Sequence, residues 1–253
     1  MRKNMKKIIF IVLSIFLGFS VMAENTPDPY AILDVLQKQY SYDDQDYSAT
    51  VTLIVEKPNQ PAEQLQFKLF QRAAKKQFTM IQLLPETDKG AGYLQDGDNL
   101  WYYDPIGRKF NHTSLKQNIG NSDAKAGDVV KEYSFRDDYE ATSIESGKLG
   151  AFDVWIISLK AISSRPAYAK EVYYIRKDIT LLLKEENYSA NDRLMRTILY
   201  PKYTRVLDRY LPIQIIMRDE VNKGEQTQQI LSEISTSAIP NKVFTKAYLE
   251  GLN

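Results

Sequence analysis

From residue 47 onward, apolar and polar residues alternate along most of the chain. The first such segment places Tyr47, Ala49, Val51, Leu53 and Val55 at every second position, with mostly polar residues between them. Because successive side chains on a strand point to opposite faces, this period of two predicts a β-strand with one apolar face. The pattern recurs at short intervals and predicts strands at residues 47–55, 65–69, 78–84, 90–95, 99–104, 108–113, 139–146, 153–160, 171–177, 181–188, 194–200, 211–218 and 227–234.

Short turn signals separate the predicted strands. The Asp96-Gly97 pair stands between two apolar runs, a pattern typical of a tight β-hairpin. Pro201 and Pro212 have no backbone N–H to donate to a neighbouring strand, so we expect them at strand starts or sheet edges.

Helical or irregular patterns are confined to three segments. Asp28-Pro29 is a typical helix start, and apolar residues then recur at helical spacing as far as residue 40 (Ile32, Val35, Leu36 and Tyr40). Residues 114–128 are polar and show no clear period, which predicts a mobile loop with a short helix near residues 128–133. The tail at residues 239–252 is expected to form a turn and a short helix.

These patterns predict a mainly β protein with a few helices, built as one large curved antiparallel sheet or open barrel. No linker or change in composition marks a domain boundary. A curved sheet has a concave face that side chains, helices or a ligand must fill. The first helix and the segment at 114–133 are the expected lids.

The N-terminus has the pattern of a signal peptide over residues 1–23. Four basic residues precede an apolar run from Ile8 to Phe19, and Val21-Met22-Ala23 supplies the small residues of a cleavage site. At ~1.5 Å per residue, the apolar run is too short to cross a hydrocarbon core of about 30 Å, which disfavours the alternative of a membrane anchor. We therefore expect an exported, periplasmic protein whose single domain spans residues 24–253. Removal of the four basic residues leaves 29 basic and 32 acidic residues, a net charge of −3.

Composition excludes several kinds of chemistry. The chain has no Cys and one His, which excludes disulfides, thiolate or multi-His metal sites and a Cys nucleophile. We find no support for a catalytic role of His112, and the acidic turn at 96–99 lacks the Gly and Glu of a calcium loop. Adjacent carboxylates such as Glu185 and Glu186 point to opposite faces of a strand. The sequence thus predicts no catalytic residue, metal or cofactor, and its net charge of +1 gives no reason to expect nucleic acid.

Aromatic residues are the feature of the sequence that can indicate a binding site. They occur within the predicted strands as Trp101, Tyr102, Tyr103, Phe110, Trp155, Tyr173 and Tyr174. They can pack a core, as aromatic residues commonly do, or line an apolar cavity. A cavity of this kind would hold acyl chains by burial, at about 0.8 kcal/mol per CH₂.

One stretch carries a family resemblance. It consists of Lys89-Gly90-Ala91-Gly92-Tyr93-Leu94, then residues 96–105 (DGDNLWYYDP), then Arg108-Lys109-Phe110. This stretch resembles the outer-membrane lipoprotein-sorting family, the LolA-like periplasmic carriers. The signal peptide, the helix before the first strand and the ending at residues 239–249 agree with that resemblance.

The resemblance implies a half-open antiparallel barrel with a helical lid over a hydrophobic cavity. It also implies a monomer that takes acylated lipoproteins or other lipids from an inner-membrane transporter, touching membranes transiently. An arginine locks the lid in this family, and Arg72 and Arg108 are candidates by position. The alternative is an envelope sensor or interaction protein with the same fold.

Eight apolar positions are candidates for the lining of the cavity. Alternation selects them within their strands but does not tell which face is concave. They are Val51, Leu53, Leu65, Phe67, Phe78, Met80, Trp101 and Tyr103.

Overall fold

The computed structural model of the protein describes residues 26–40, 45–130 and 134–252. The signal peptide predicted at residues 1–23 lies outside these ranges. The described residues form thirteen strands: β1 (Asp46–Glu56), β2 (Glu63–Arg72), β3 (Gln77–Leu84), β4 (Gly92–Asp96), β5 (Asn99–Asp104), β6 (Lys109–His112), β7 (Tyr139–Leu149), β8 (Phe152–Ala161), β9 (Lys170–Arg176), β10 (Leu181–Tyr188), β11 (Leu194–Val206), β12 (Arg209–Asp219) and β13 (Gln226–Ser235).

Four α-helices accompany the strands in the same described ranges: α1 (Pro29–Tyr40), α2 (Ala126–Val130), α3 (Phe135–Asp138) and α4 (Lys246–Glu250). None of these helices has the length and apolar content to cross a membrane.

All thirteen described strands belong to one sheet, in the order β6-β5-β4-β3-β2-β1-β13-β12-β11-β10-β9-β8-β7. The neighbouring strands pair antiparallel. β1 to β6 form one meander and β7 to β13 a second, and the pairing of β1 with β13 joins the two. β6 and β7 stand at opposite ends of the order, so the sheet is open. The predicted fold class, a mainly β protein with one curved sheet in a half-open barrel, is confirmed.

Helix α1 packs against the inner face of this sheet. Asp28 caps the helix start by accepting a hydrogen bond from the backbone N of Tyr30 at 3.0 Å. Leu33 and Leu36 are fully buried in the main core, where each contributes about 1.5–3 kcal/mol by burial. Val35, which the sequence pattern groups with Ile32 and Leu36, is instead 45% exposed because it lies on the outer side of the helix.

The sheet has an apolar cluster on each face. The larger one, here called the concave core, joins α1 to strands of both meanders and includes Val51 and Phe67. The smaller one joins Leu94 and Tyr103 on the opposite face to Leu249 of α4. The predicted turn and short helix in the tail are therefore present, and they cover the outer face of β3 to β5.

Arg72 fastens the tail to the sheet. Its Nε and Nη2 atoms each donate to Asp46 at 2.8 Å, and its Nη1 donates to the Asn241 side chain at 2.7 Å. The guanidinium also lies 4.7 Å from the ring centre of Phe244. Arg72 therefore holds the C-terminal segment, whereas Arg108 lies in the turn before β6 with a φ of 47°.

The prediction for the two prolines is wrong. Pro201 lies inside β11 and Pro212 inside β12, away from strand starts and sheet edges. The pairing of these strands changes register on both sides of Lys202. Such an irregularity interrupts the regular ladder, so a residue without N–H is tolerated there.

Two short helices also differ from the sequence pattern. α2 begins at Ala126, ahead of the predicted position, and α3 at 135–138 was not predicted. α3 has only four residues, too few to show a helical period, and its start depends on the Ser134 hydroxyl accepting from the Asp137 backbone N.

Candidate ligand-binding cavities

Residues 113–128, here called the lid segment, follow β6 and cover part of the concave core. Ile119, Ala124 and Ala126 are each at most 1% exposed and belong to that core. The segment folds back on itself, because the Ile119 backbone N donates to the Ala124 carbonyl at 2.8 Å. The predicted lid at 114–133, of which residues 131–133 lie outside the described ranges, thus overlaps a segment that inserts apolar side chains into the sheet interior.

A buried ion pair, here called the latch, holds the lid segment to the sheet. Arg196 of β11 is 5% exposed, and its Nη1 and Nη2 donate to the two carboxylate oxygens of Asp128 at 2.7 and 2.9 Å. Nη1 also donates to the Asp123 carbonyl at 3.1 Å, and Nε donates to Asn187 Oδ1 at 3.1 Å. Burial opposes the charge, yet the Asp128 carboxylate raises the pKa of Arg196 above its ordinary value.

A second attachment lies at the tip of the lid segment. The Asp123 backbone N donates to the Thr227 hydroxyl of β13 at 2.9 Å, and that hydroxyl donates to the Asp123 carboxylate at 3.0 Å. Gly120 has a φ of +58°, and a Cβ at this position would lie 3.2 Å from Leu65 Cδ1. A glycine is therefore required for the lid segment to approach β2 closely.

The larger cavity has a volume of about 830 Å³ and lies between the lid segment and strands β2 to β5. Its apolar wall is formed by Leu65, Phe67, Tyr93 and Tyr102 from the strands and by Ile119 from the lid segment. The Tyr93 and Tyr102 rings meet edge to face with centres 5.2 Å apart. Burial, with a smaller effect of Tyr102, raises the pKa of Tyr93 to about 12. Polar residues such as Asn111 and Asn118 form the mouth.

A second cavity of about 360 Å³, here called the lid cavity, lies on the other side of the lid segment. Thr113 and Ser114 line both cavities, so the two adjoin. Leu100, Leu115, Pro166 and Ala167 supply its apolar surface, and charged residues of β9 to β11 face its interior.

Glu171 and Glu185 are the buried carboxylates of the lid cavity, each 5% exposed. Glu171 accepts from the hydroxyls of Tyr139 at 2.8 Å and Tyr173 at 2.9 Å. Glu185 accepts from Asn187 Nδ2 at 2.7 Å and from the Tyr200 hydroxyl at 2.9 Å. Burial, together with the nearby Glu185 carboxylate, raises the pKa of Glu171 well above its ordinary value.

Six of the eight predicted lining residues lie together in the concave core, each at most 4% exposed: Val51, Leu53, Leu65, Phe67, Phe78 and Met80. Of these, Leu65 and Phe67 line the larger cavity. Trp101 and Tyr103 lie on the opposite face, in the cluster covered by α4. The hairpin register explains the difference, because Trp101 pairs with Leu94 and shares its face, whereas Tyr102 pairs with Tyr93 and faces the cavity.

Arg196 and Glu171 were not predicted as functional residues, and Glu185 was considered only as one of two adjacent carboxylates. Each stands in phase with buried apolar residues on its strand, as Arg196 does with Ile198 and Tyr200. A charged residue at an inward position is a usable signal, because it needs a partner or a function when buried. His112, the only histidine in the chain, is exposed and accepts from Trp101 Nε1 at 3.1 Å.

One acidic group is close enough to consider as a metal site. Asp123, Asp219 and Glu225 place one carboxylate oxygen each within 4.8 Å of the others. Protein groups already engage them, because Asp219 accepts from two backbone N–H groups and Glu225 lies 3.7 Å from Lys57. We assign no metal to this group.

Three solved structures share this architecture. A LolA superfamily protein from Nitrosomonas europaea has a TM-score of 0.75 at 21% identity, covering 87% of this chain and 98% of its own. A protein described as an outer membrane lipoprotein-sorting domain, from Vibrio parahaemolyticus, has a TM-score of 0.74 at 18% identity, covering 86% and 97%. A DUF1329 family protein from Desulfovibrio piger has a TM-score of 0.74 at 18% identity, covering 88% and 100%.

The open curved sheet with its covered concave face is therefore a LolA-like fold, and the resemblance seen in the sequence is confirmed at the level of the fold. A model of a protein family described as "-like: Uncharacterized protein" matches residues 74–251, and the chain belongs to this family. Comparison with curated proteins gave no match.

Proposed function

We propose that the protein is a periplasmic carrier that binds the acyl chains of lipoproteins or other lipids and transfers them between the inner and outer membranes. One observation carries the proposal. The concave face of an open sheet is apolar, and a segment with small apolar side chains covers it, held by a buried polar latch.

A lipid would insert between the lid segment and the sheet on this face. The acyl chain would enter the larger cavity beside Ile119 and gain about 0.8 kcal/mol per buried CH₂. Because the lid segment must shift to admit the lipid, the net affinity stays moderate, as release by a carrier requires. The proposed lining is Leu65 and Phe67 first, then Val51, Leu53, Phe78 and Met80.

The function needs no catalytic group, so we propose a binding protein rather than an enzyme. Delivery would involve an inner-membrane transporter and brief membrane contact by a monomer. The test is uptake of a fluorescent fatty acid by the delipidated protein, with competition by unlabelled palmitate. Absence of both uptake and co-purified lipid would contradict the proposal.

A reversible crosslink tests whether the lid must move. The chain has no cysteine, and the Asp123 carboxylate and Thr227 hydroxyl meet at 3.0 Å, so a variant with Asp123→Cys and Thr227→Cys places its two thiols at this contact, and a thiol count verifies that the disulfide has formed. We expect the oxidised variant to take up the fluorescent fatty acid at least tenfold more slowly, and dithiothreitol to restore the rate. The two single-cysteine variants are the controls. Equal uptake by the oxidised and reduced forms would show that the lid does not gate the site.

A further inference from the structure

Acidic residues of the sheet and basic residues of the lid segment line different parts of the lid cavity. Glu171 and Glu185 lie among strands β9 to β11, and they accept hydrogen bonds from tyrosine hydroxyls and an asparagine amide. Within the described part of the chain, neither carboxylate lies within 4.0 Å of a lysine or arginine nitrogen. A buried carboxylate pair without a close cation is costly, so the pair retains a proton or binds a cationic ligand, which releases that proton.

The neighbouring cations are mostly neutralised already. Arg196 is engaged by both oxygens of Asp128, and Arg165 donates to Asp138 at 2.7 Å. Lys76 pairs with Asp98 at 3.0 Å. An added positive charge in the lid cavity is therefore best compensated beside Glu171 and Glu185.

Two lysines of the lid segment provide the opposite charge. Lys116 Nζ donates to the Ser164 carbonyl at 2.6 Å, and Lys125 Nζ donates to the Lys116 carbonyl at 3.2 Å and to Asn118 Oδ1 at 2.9 Å. Among the described residues neither forms an ion pair with a carboxylate. Burial and the positive charge of Arg196 lower the pKa of Lys125, so an anion beside it would relieve an unfavourable environment.

We propose that the lid cavity binds a phospholipid head that carries both a primary ammonium and a phosphate, with the ammonium on Glu171 and Glu185 and the phosphate on Lys116 and Lys125. This inference rests on the proposed function and names the class of lipid. A primary ammonium has three N–H donors, which suit two carboxylates that accept hydrogen bonds. The shared lining of Thr113 and Ser114 gives the acyl chain a path into the larger cavity, along Leu65 and Phe67.

Three single-chain phospholipids with the same 16-carbon chain test the proposal. They carry ethanolamine, choline or glycerol as the head, and each is titrated below its micellar concentration against a bound fluorescent fatty acid. We expect the ethanolamine lipid to displace the probe at concentrations at least tenfold lower than the other two. The choline head keeps the positive charge but has no N–H, and the glycerol head has no positive charge.

Variants then test whether Glu171 and Glu185 cause the preference for the ethanolamine head. The double change Glu171→Gln and Glu185→Gln is expected to remove the ethanolamine preference while the glycerol lipid binds within about twofold of wild type. Glu186→Gln is the control, because Glu186 faces the other side and bonds to Tyr174 and Tyr188. The double change Lys116→Gln and Lys125→Gln should weaken all three phospholipids, because each head carries a phosphate, and leave binding of uncharged hexadecanol unchanged. Thermal unfolding verifies that each variant is folded. If the glutamate double variant does not fold, Glu185→Gln alone is used to test the ethanolamine preference.

Two results overturn the proposal. Equal affinity of the wild type for the three heads is one, and an equal loss for all three in the glutamate variants is the other. In both cases binding of the fluorescent fatty acid itself still reports on the proposed carrier function, so the two proposals fail separately.

Discussion

Asp128→Ala is expected to lower the free energy of unfolding by about 3–5 kcal/mol, because it leaves the buried Arg196 guanidinium without its carboxylate. Arg196 has 6% of its side chain exposed and Asp128 has 18%, so water does not replace the lost partner. The free energy of unfolding is measured by urea denaturation. The same variant should take up the fluorescent fatty acid faster than wild type, since the latch no longer holds the lid segment.

Two further variants are compared with Asp128→Ala. Asp98→Ala removes an exposed partner of Lys76, where 92% of the carboxylate side chain faces solvent, and should leave stability almost unchanged. The double change Asp128→Ala with Arg196→Met removes both buried charges and should recover part of the loss. A loss in Asp128→Ala no greater than in Asp98→Ala would show that the latch does not hold the lid segment.

Glu171→Gln is expected to remove the pH dependence of stability that Glu171 causes. The pKa of Glu171 is raised in the folded state above its unfolded value of about 4.3, so the folded protein binds this proton more tightly. The stabilisation is complete below the unfolded pKa and is lost as pH rises through the folded pKa. In that window, stability falls by up to about 1.4 kcal/mol per pH unit relative to Glu171→Gln, which has no proton to release.

Urea denaturation at pH 5, 6, 7 and 8 measures this difference. The variant should be the more stable protein at pH 8 and should lose this advantage toward pH 5. Glu140→Gln, at an exposed position on β7, is the control and should follow wild type. If the wild-type and Glu171→Gln curves run parallel over this range, the Glu171 carboxyl is not destabilised by its surroundings.

The local part of the fold was accessible from the sequence. The alternating pattern marked the strands because one face of each strand is buried, and the Asp96-Gly97 pair sits in the β4–β5 turn with Asp96 paired to Asn99. The helix at residues 29–40 was accessible for the same reason, since its apolar residues follow one stripe. Pro201 and Pro212 were misjudged because a change of register depends on the partner strand.

Only part of the candidate binding site could be predicted from the sequence. Alternation selected the apolar positions of each strand, yet the face that each one occupies depends on the pairing across the whole sheet, which is why Trp101 and Tyr103 separate from Phe67. The latch joins residues 68 positions apart. A strand pattern contains no information about such a partner, so Arg72 and Arg108 were considered and Arg196 was not.

The pairing of β1 with β13 has a consequence for how the chain reaches this structure. Thr50 lies opposite Ser232, so the seam between the two meanders closes a loop of most of the chain. Each meander is built from neighbours in sequence and can form early, whereas the seam must wait until β1 and β13, at opposite ends of the two meanders, meet. Such long-range closure is slow for entropic reasons. The concave face therefore takes shape last, after its two halves already exist.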